Sequence, residues 1–145
     1  MGRVPPNPAT GKPWGADFPV VTVEDSLLRD YTPSGVLFVS SASAQQMTLR
    51  RTHITRYDQC RFSMTPMLIE DCLIEQIRSD ATDFADHPDV VVRRTTYRFG
   101  TGTGTDAVDN GGNVGMLIES CLIHDFPDKG VSIAALSHGT IVRNS

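Results

Sequence analysis

The sequence predicts an all-β solenoid, a fold in which short strands stack turn upon turn. The first observation is a recurring phrase of eight residues. Its first, third and eighth positions are apolar, its fourth is charged, its sixth is small, and the other three take any residue. The second is its spacing, with intervals of 26, 20, 23, 26 and 24 residues between the anchors Val23, Leu49, Ile69, Val92, Ile118 and Val142. A repeat of this length with one strand phrase per unit buries its apolar face only against its neighbours, as a solenoid does.

The charged place in the phrase predicts the register of the stack. Its sign alternates at every repeat, through Glu24, Arg50, Glu70, Arg93, Glu119 and Arg143. Strands stacked in register lie about 4.8 Å apart, so equal charges would repel along the column. Alternation instead gives each carboxylate a guanidinium above and below, which favours an in-register stack.

The chain is organised as a lead-in followed by the repeats. Residues 1–18 are rich in Pro and Gly and have no periodicity, which is typical of an extended linker. Residues 19–145 form the predicted solenoid. A second strand-like stretch lies between successive anchors, at 35–39, 60–64, 83–85, 106–108 and 130–133. Because the sequence stops at Ser145 inside a phrase, we expect a solenoid truncated at its C-terminus and flanked by further domains.

Composition excludes several classes of protein. The chain has 145 residues, 39% of them hydrophobic, which is enough for one globular core. Its 13 basic and 17 acidic residues are interspersed and give a net charge of −4, so we expect no nucleic-acid partner. The sequence contains no run of 18 apolar residues and no signal segment, so we expect no membrane span.

The cysteines indicate packing rather than redox or metal chemistry. Cys72 and Cys121 occupy the same place in the phrase, two repeats apart with Thr95 between them. Stacking would separate them by roughly 10 Å, which is too far for a disulfide. The spacings typical of Cys and His zinc ligands are absent.

The phrase resembles the right-handed parallel β-helix of the pectate-lyase-like superfamily over residues 19–145. Three motifs, TDFAD at 82–86, TDAVD at 105–109 and DKGVS at 128–132, resemble β-helix domains found beside spore-coat-protein-H-type modules in bacterial surface proteins. The expected fold is therefore a right-handed parallel β-helix of about five to six coils, in an extracellular or cell-surface protein. Such folds carry lyases, hydrolases, adhesins and inactive modules, so the fold does not settle the function.

The candidate site is a predicted column of Asp83, Asp106 and Asp128, with Asp109 beside it. Stacked carboxylates roughly 5 Å apart repel by about 3 kcal/mol at an effective dielectric constant near 20. The column would need Ca²⁺, a neighbouring cation such as Lys129, or protonation of one carboxyl. The alternative is that these aspartates cap turns by accepting backbone N–H groups. Asp83, Asp106 and Asp128 are thus candidate calcium ligands, and with Asp109 and Lys129 they are candidate catalytic residues.

Two functions of different classes follow. The first is a non-catalytic module, structural or carbohydrate-binding, with a polysaccharide as partner. The second is an enzyme resembling polysaccharide lyases or glycoside hydrolases that uses the aspartate face. The four histidines share no place in the repeat, and the glycine tract 100–105 lacks the Gly-Lys-Ser/Thr ending of a phosphate loop. Because no complete catalytic signature is present, the sequence favours the first function.

Overall fold

The computed structural model describes residues 20–30, 46–63, 65–85, 89–134 and 137–145. Within these ranges all secondary-structure elements are β-strands. The described residues contain no helix that is long and apolar enough to span a membrane. The lead-in at 1–18 and the strand predicted at 35–39 lie outside the described residues.

Fifteen short strands alternate with tight corners along the described residues. They are β1 Val20–Glu24, β2 Leu27–Arg29, β3 Gln46–Arg50, β4 His53–Thr55, β5 Arg61–Ser63, β6 Met67–Glu70, β7 Leu73–Glu75, β8 Thr82–Ala85, β9 Val90–Arg93, β10 Thr96–Arg98, β11 Val108–Gly111, β12 Leu117–Glu119, β13 Leu122–His124, β14 Val131–Ile133 and β15 Ile141–Arg143.

The strands form three parallel sheets that wind around one core. The six-stranded sheet has the order β1-β3-β6-β9-β12-β15, the five-stranded sheet β13-β10-β7-β4-β2, and the four-stranded sheet β14-β11-β8-β5. Each strand pairs with its counterpart one turn away, which confirms the all-β solenoid predicted from the repeat. The described residues give about four turns, so the expectation of five to six coils is not confirmed.

Each repeat phrase folds into two strands rather than one. The residue after each strand of the six-stranded sheet has a φ of 47° to 55°; these residues are Asp25, Arg51, Asp71, Arg94, Ser120 and Asn144. This left-handed conformation turns the chain into the five-stranded sheet. Five residues later a second left-handed corner, with φ of 55° to 64°, closes that sheet at Asp30, Arg56, Gln76, Phe99 and Asp125. In the middle turns the small residue between the two strands is buried because it lies inside the first corner; these residues are Thr52, Cys72, Thr95 and Cys121.

The core is the predicted column of anchors together with the inward side chains of the other two sheets. Leu49, Ile69, Val92 and Ile118 are fully buried, Val23 is partly buried against the core, and Val142 in the last strand is 47% exposed. The four-stranded sheet contributes Phe62 and Phe84, whose rings stack with centroids 5.3 Å apart. Inward apolar side chains on three parallel sheets therefore hold successive turns together.

The charge ladder forms in the predicted register. Glu24 pairs with Arg50, Arg50 with Glu70, Glu70 with Arg93, Arg93 with Glu119 and Glu119 with Arg143 across successive strands. Glu70 is only 3% exposed. Its carboxylate accepts hydrogen bonds from Arg50 Nε at 2.6 Å, Arg93 Nε at 2.8 Å and Arg94 Nη2 at 2.8 Å. Charge alternation thus stabilises the outer side of the first corner.

Candidate functional site

The aspartates do not stack as their motifs predict. In the four-stranded sheet Asp83 pairs with Asp109, and Thr82 pairs with Val108. Asp106 lies instead beside Asp80, whose Oδ1 accepts its backbone N–H at 3.2 Å. The two TD motifs are therefore three residues out of register. Register is set by the buried positions of Thr82 and Val108, not by the likeness of the motifs.

Two of the aspartates connect successive turns through backbone hydrogen bonds. The Asp80 carboxylate accepts the N–H of Asp106, and the Asp106 carboxylate accepts the N–H of Lys129 at 3.0 Å. Each carboxylate bonds to the residue that occupies its own place one turn further on. This geometry matches the capping role that the sequence left as an alternative.

Basic side chains flank the acidic patch formed by Asp80, Asp83, Asp106 and Asp109. Arg61 Nε lies 3.4 Å from Asp83 Oδ2, and Lys129 Nζ lies 3.6 Å from Asp106 Oδ1. Asp128 is exposed and forms an ion pair of 2.5 Å with Lys129, away from Asp83. The structure therefore brings Asp106, Asp128 and Lys129 together, and Asp83 with Asp109, but not Asp83 with Asp128.

Burial opposes the ionisation of two carboxyl groups in the patch. Burial raises the pKa of Asp80, although the hydrogen bond from the Asp106 backbone opposes the rise. Burial also raises the pKa of Asp83. The positive charge of Arg61 opposes this rise, and the negative charge of Asp109 adds to it. In the described residues, no group of three or more His, Cys, Asp or Glu side chains is arranged to hold a metal ion. Calcium binding at Asp83, Asp106 and Asp128 stays a prediction.

A separate groove of about 490 Å³ lies at the second corner of the solenoid. Such a volume is within the usual range for small-ligand sites. The groove crosses three turns, and each turn contributes residues at equivalent places. Its lining residues are Arg56, Tyr57, Asp58, Gln76, Arg78, Phe99 and Thr101.

Two parallel rows of side chains form the walls of this corner groove. One row is the left-handed corner itself, with Arg56, Gln76 and Phe99 on successive turns. The other row holds Asp58, Arg78 and Thr101, two residues further along each turn. Adjacent turns lie about 4.8 Å apart, so each row presents side chains at that interval along the solenoid axis.

Ion pairs fix the arginines of the groove. Arg56 bonds to Asp30 through both Nε and Nη2, the latter at 2.7 Å, and Arg78 Nε donates to Asp58 Oδ1 at 2.8 Å. The hydrogen bond from Arg56 lowers the pKa of Asp30 although burial opposes this. Asp30 therefore stays ionised at neutral pH, and the ion pairs give the two guanidinium groups defined orientations.

The glycine tract 100–105 packs against the turn that carries Ile77 and Arg78. Thr101 donates both its N–H and its hydroxyl to the Ile77 carbonyl, at 2.8 Å and 3.1 Å. The Thr105 hydroxyl donates to the Arg78 carbonyl at 2.9 Å. A Cβ at Gly102 would lie 1.8 Å from that carbonyl oxygen, so the close approach requires glycine.

Phe99 is the unusual residue of the groove. The other described residues at the second corner, Asp30, Arg56, Gln76 and Asp125, are all polar, whereas Phe99 is apolar. It holds a φ of 58°, which is rare for a bulky side chain, and it is 44% exposed. The ring packs edge-on against His124 with centroids 5.8 Å apart, and the Arg98 guanidinium lies 5.2 Å from its centroid. A strained, exposed aromatic residue in a groove points to a binding role.

Sequence reasoning missed this groove because it followed the anchors and the aspartates. The usable signal is the constant spacing of five residues between the two left-handed corners of each turn. Aligning the second corner places Phe99 in a row whose other described members are polar, and there an aromatic side chain stands out.

Comparison with known proteins finds only short matches. No family model matches the chain, and no solved structure matches it. The homoserine O-succinyltransferase of Leptothrix cholodnii is 79% identical over 24 residues, which are 17% of this chain and 6% of that protein. The homoserine O-succinyltransferase of Stutzerimonas stutzeri is 95% identical over 19 residues, 13% of this chain and 5% of that protein. The chain thus spans about one-twentieth of these relatives, and stretches this short carry neither their fold nor their activity.

Proposed function

We propose that the protein is a non-catalytic carbohydrate-binding β-solenoid module of a larger bacterial surface or secreted protein. In this proposal the corner groove binds a polysaccharide. The observation that carries it is the exposed ring of Phe99 beside a row of fixed polar side chains.

The chemistry of the groove suits a sugar. An aromatic ring offers a flat apolar surface for the C–H face of a pyranose, while the hydroxyl groups at its edge need donors and acceptors. Arg78 and Asp58 supply a donor and an acceptor in fixed orientation on one wall. Gln76 supplies both from the other wall. Arg78 and Asp58 are already held by their ion pair, so binding sacrifices little of their side-chain entropy.

The shape of the groove suits a polymer. Its two rows of side chains run along the solenoid axis over three turns, so an extended chain can contact several turns at once. The positive and negative side chains are paired with each other, which favours a neutral glycan over a highly charged one.

Affinity electrophoresis tests this proposal. Native gels containing xylan, a mixed-linkage β-glucan or polygalacturonate would be compared with a gel without polysaccharide. We expect one of the neutral glycans to retard the protein, and Phe99→Ala to abolish the retardation. Leu122→Ala is the matched control, because Leu122 is 58% exposed and is not among the lining residues. Retardation that survives Phe99→Ala, or that is absent from all gels, contradicts the proposal.

A second candidate function is a polysaccharide lyase-like or glycoside hydrolase-like activity of the aspartate face. The observation in its favour is the raised pKa of Asp83 next to the paired Asp109, since a general acid must keep its proton near neutral pH. The test is release of unsaturated or reducing ends from the same glycans by the wild type and by Asp83→Asn. Product formed by the wild type and lost in the variant would establish this function and overturn a non-catalytic module.

A further inference from the structure

We infer that Arg98, held in place by Glu75, is a positioning residue that fixes the Phe99 ring for ligand binding. The inference rests on the proposed function in one respect, since it takes Phe99 as the residue that the ligand contacts. Neither Arg98 nor Glu75 is among the lining residues of the corner groove, so both act through Phe99 and not on the ligand.

The backbone on either side of Phe99 is held by the neighbouring turns. The Arg98 carbonyl accepts the N–H of Gln76 at 3.3 Å, and the Gly100 N–H donates to the Asp125 carbonyl at 3.0 Å. Phe99 itself turns the corner with a φ of 58°. The backbone therefore determines where the side chain begins. The orientation of the ring depends on its χ angles, and an exposed aromatic side chain has more than one staggered rotamer available.

Two side chains set the orientation of the Phe99 ring. The Arg98 guanidinium lies over the ring, 5.2 Å from its centroid, which is a cation–π contact. His124, from the next turn, meets the ring at an interplanar angle of 77° with centroids 5.8 Å apart. Because the guanidinium covers one face of the ring, a sugar is left the opposite face for stacking.

Glu75 holds Arg98 over the ring. The outward row of the five-stranded sheet places Glu75, Arg98 and His124 side by side on β7, β10 and β13. Arg98 Nε donates to Glu75 Oε2 at 2.6 Å, and His53 Nε2 lies 2.9 Å from Oε1 of the same carboxylate. Burial opposes the ionisation of Glu75, but the hydrogen bonds from Arg98 and His53 lower its pKa. Glu75 is therefore charged at neutral pH and keeps the guanidinium in one orientation.

Glu75 and Arg98 act on the ring in series. An arginine side chain without a partner samples many rotamers, so removal of the Glu75 charge releases Arg98 and thereby Phe99. Substitution of Arg98 removes the contact with the ring itself. A double variant should consequently behave like the Arg98 variant alone, because Glu75 has no other route to the ring.

Fluorine NMR of the protein labelled with para-fluorophenylalanine tests the positioning without any ligand. The Phe99 signal is identified as the one that Phe99→Ala removes. We expect Arg98→Met and Glu75→Gln each to move this signal toward the position of the free amino acid, and the double variant to match Arg98→Met. Arg29→Met is the matched control, because Arg29 is 58% exposed and lies in the same outward row on β2, three strands from β10. Thermal melting confirms that each variant is folded.

Affinity electrophoresis with the retarding glycan tests the consequence for binding. Arg98→Met and Glu75→Gln should weaken binding about two- to five-fold, the range expected when an exposed cation–π contact is lost, and Arg29→Met should not. The inference is overturned by a Phe99 signal that either variant leaves unchanged, or by additive shifts in the double variant. Full affinity of both variants for a glycan that Phe99→Ala no longer binds also overturns it. If no glycan retards the wild type, the proposed function fails and the fluorine spectra alone decide the inference.

Discussion

Glu70 offers the sharpest test of the charge ladder. Its carboxylate is 3% exposed and is bound by three arginines from two neighbouring turns. Glu70→Gln keeps the shape of the side chain but removes its charge and turns an amide donor toward the guanidinium groups. Removing one partner from a fully buried ion pair costs about 3–5 kcal/mol.

The expected loss at Glu70 is smaller than that figure because its partners reach water. The side chains of Arg50, Arg93 and Arg94 are 38%, 37% and 49% exposed, so their charges are partly solvated without Glu70. We therefore expect Glu70→Gln to lower the free energy of unfolding by about 2 kcal/mol. For a chain of this size the melting temperature should fall by about 4–8 °C.

The pH dependence gives the same prediction a second readout. Burial opposes ionisation of Glu70, but the hydrogen bonds from Arg93, Arg50 and Arg94 outweigh it, so its pKa is lowered from the ordinary value of 4.5. A lowered pKa stabilises the folded state above the unfolded-state pKa, and that stabilisation is lost as the pH falls through the folded-state pKa. The difference between wild type and Glu70→Gln should therefore be full at neutral pH and shrink below about pH 4.5.

Calorimetry at several pH values measures both effects, with Glu119→Gln as the matched control. Glu119 occupies the same column, but its side chain is 22% exposed and its partner Arg143 is 57% exposed. We expect a loss below about 1 kcal/mol for this control. Equal losses at the two positions, or a Glu70→Gln loss unchanged at pH 3, would refute the claim that three arginines hold a buried carboxylate.

Four further perturbations probe the core, the groove and the aspartate face. Val92→Asp places an unpaired charge in a fully buried position, so urea unfolding should show a loss of several kcal/mol, and a fully stable variant would contradict the inward anchors. Gly102→Ala places a Cβ against a carbonyl oxygen and should lower the free energy of unfolding by about 1–3 kcal/mol in the same assay. Gly104→Asn is the control and should be nearly neutral, because Gly104 has a φ of 77° and faces open space. Burial raises the pKa of Asp83, so its ionised carboxylate destabilises the folded state at neutral pH. Asp83→Asn should therefore raise the melting temperature at pH 7 but not at pH 3, and a lower melting temperature at pH 7 would argue against this. Millimolar Ca²⁺ distinguishes the two roles of the aspartates: capping by Asp106, whose carboxylate accepts a backbone N–H, predicts an unchanged melting temperature, whereas calcium binding predicts a rise that Asp106→Asn abolishes.

The repeat and its register could be predicted from sequence because both depend on one residue type per turn. Anchors such as Ile69 recur at the interval of one turn, and the sign of the residue after each anchor reports its neighbours above and below. The corner inside each phrase could not be found in the same way. Its left-handed residues include Asp71, Arg94 and Ser120, and these share a backbone conformation rather than a side-chain chemistry.

The candidate site was harder to predict for a related reason. Likeness between TDFAD and TDAVD suggested that Asp83 and Asp106 stack, but the sheet aligns buried Thr82 with buried Val108 and so pairs Asp83 with Asp109. Inward packing decides register, and outward carboxylates follow it. Phe99 lies outside any strand, so neither strand periodicity nor motif likeness draws attention to it.

An NMR titration tests the proposed binding site most directly. Amide spectra of the labelled protein would be followed as an oligosaccharide of the retarding glycan is added. The proposal predicts that the largest shifts map to the corner groove, at residues such as Gln76, Arg78 and Phe99, and that Phe99→Ala removes them. Shifts centred instead on Asp83 and Asp109, or no shifts at saturating oligosaccharide, would contradict it.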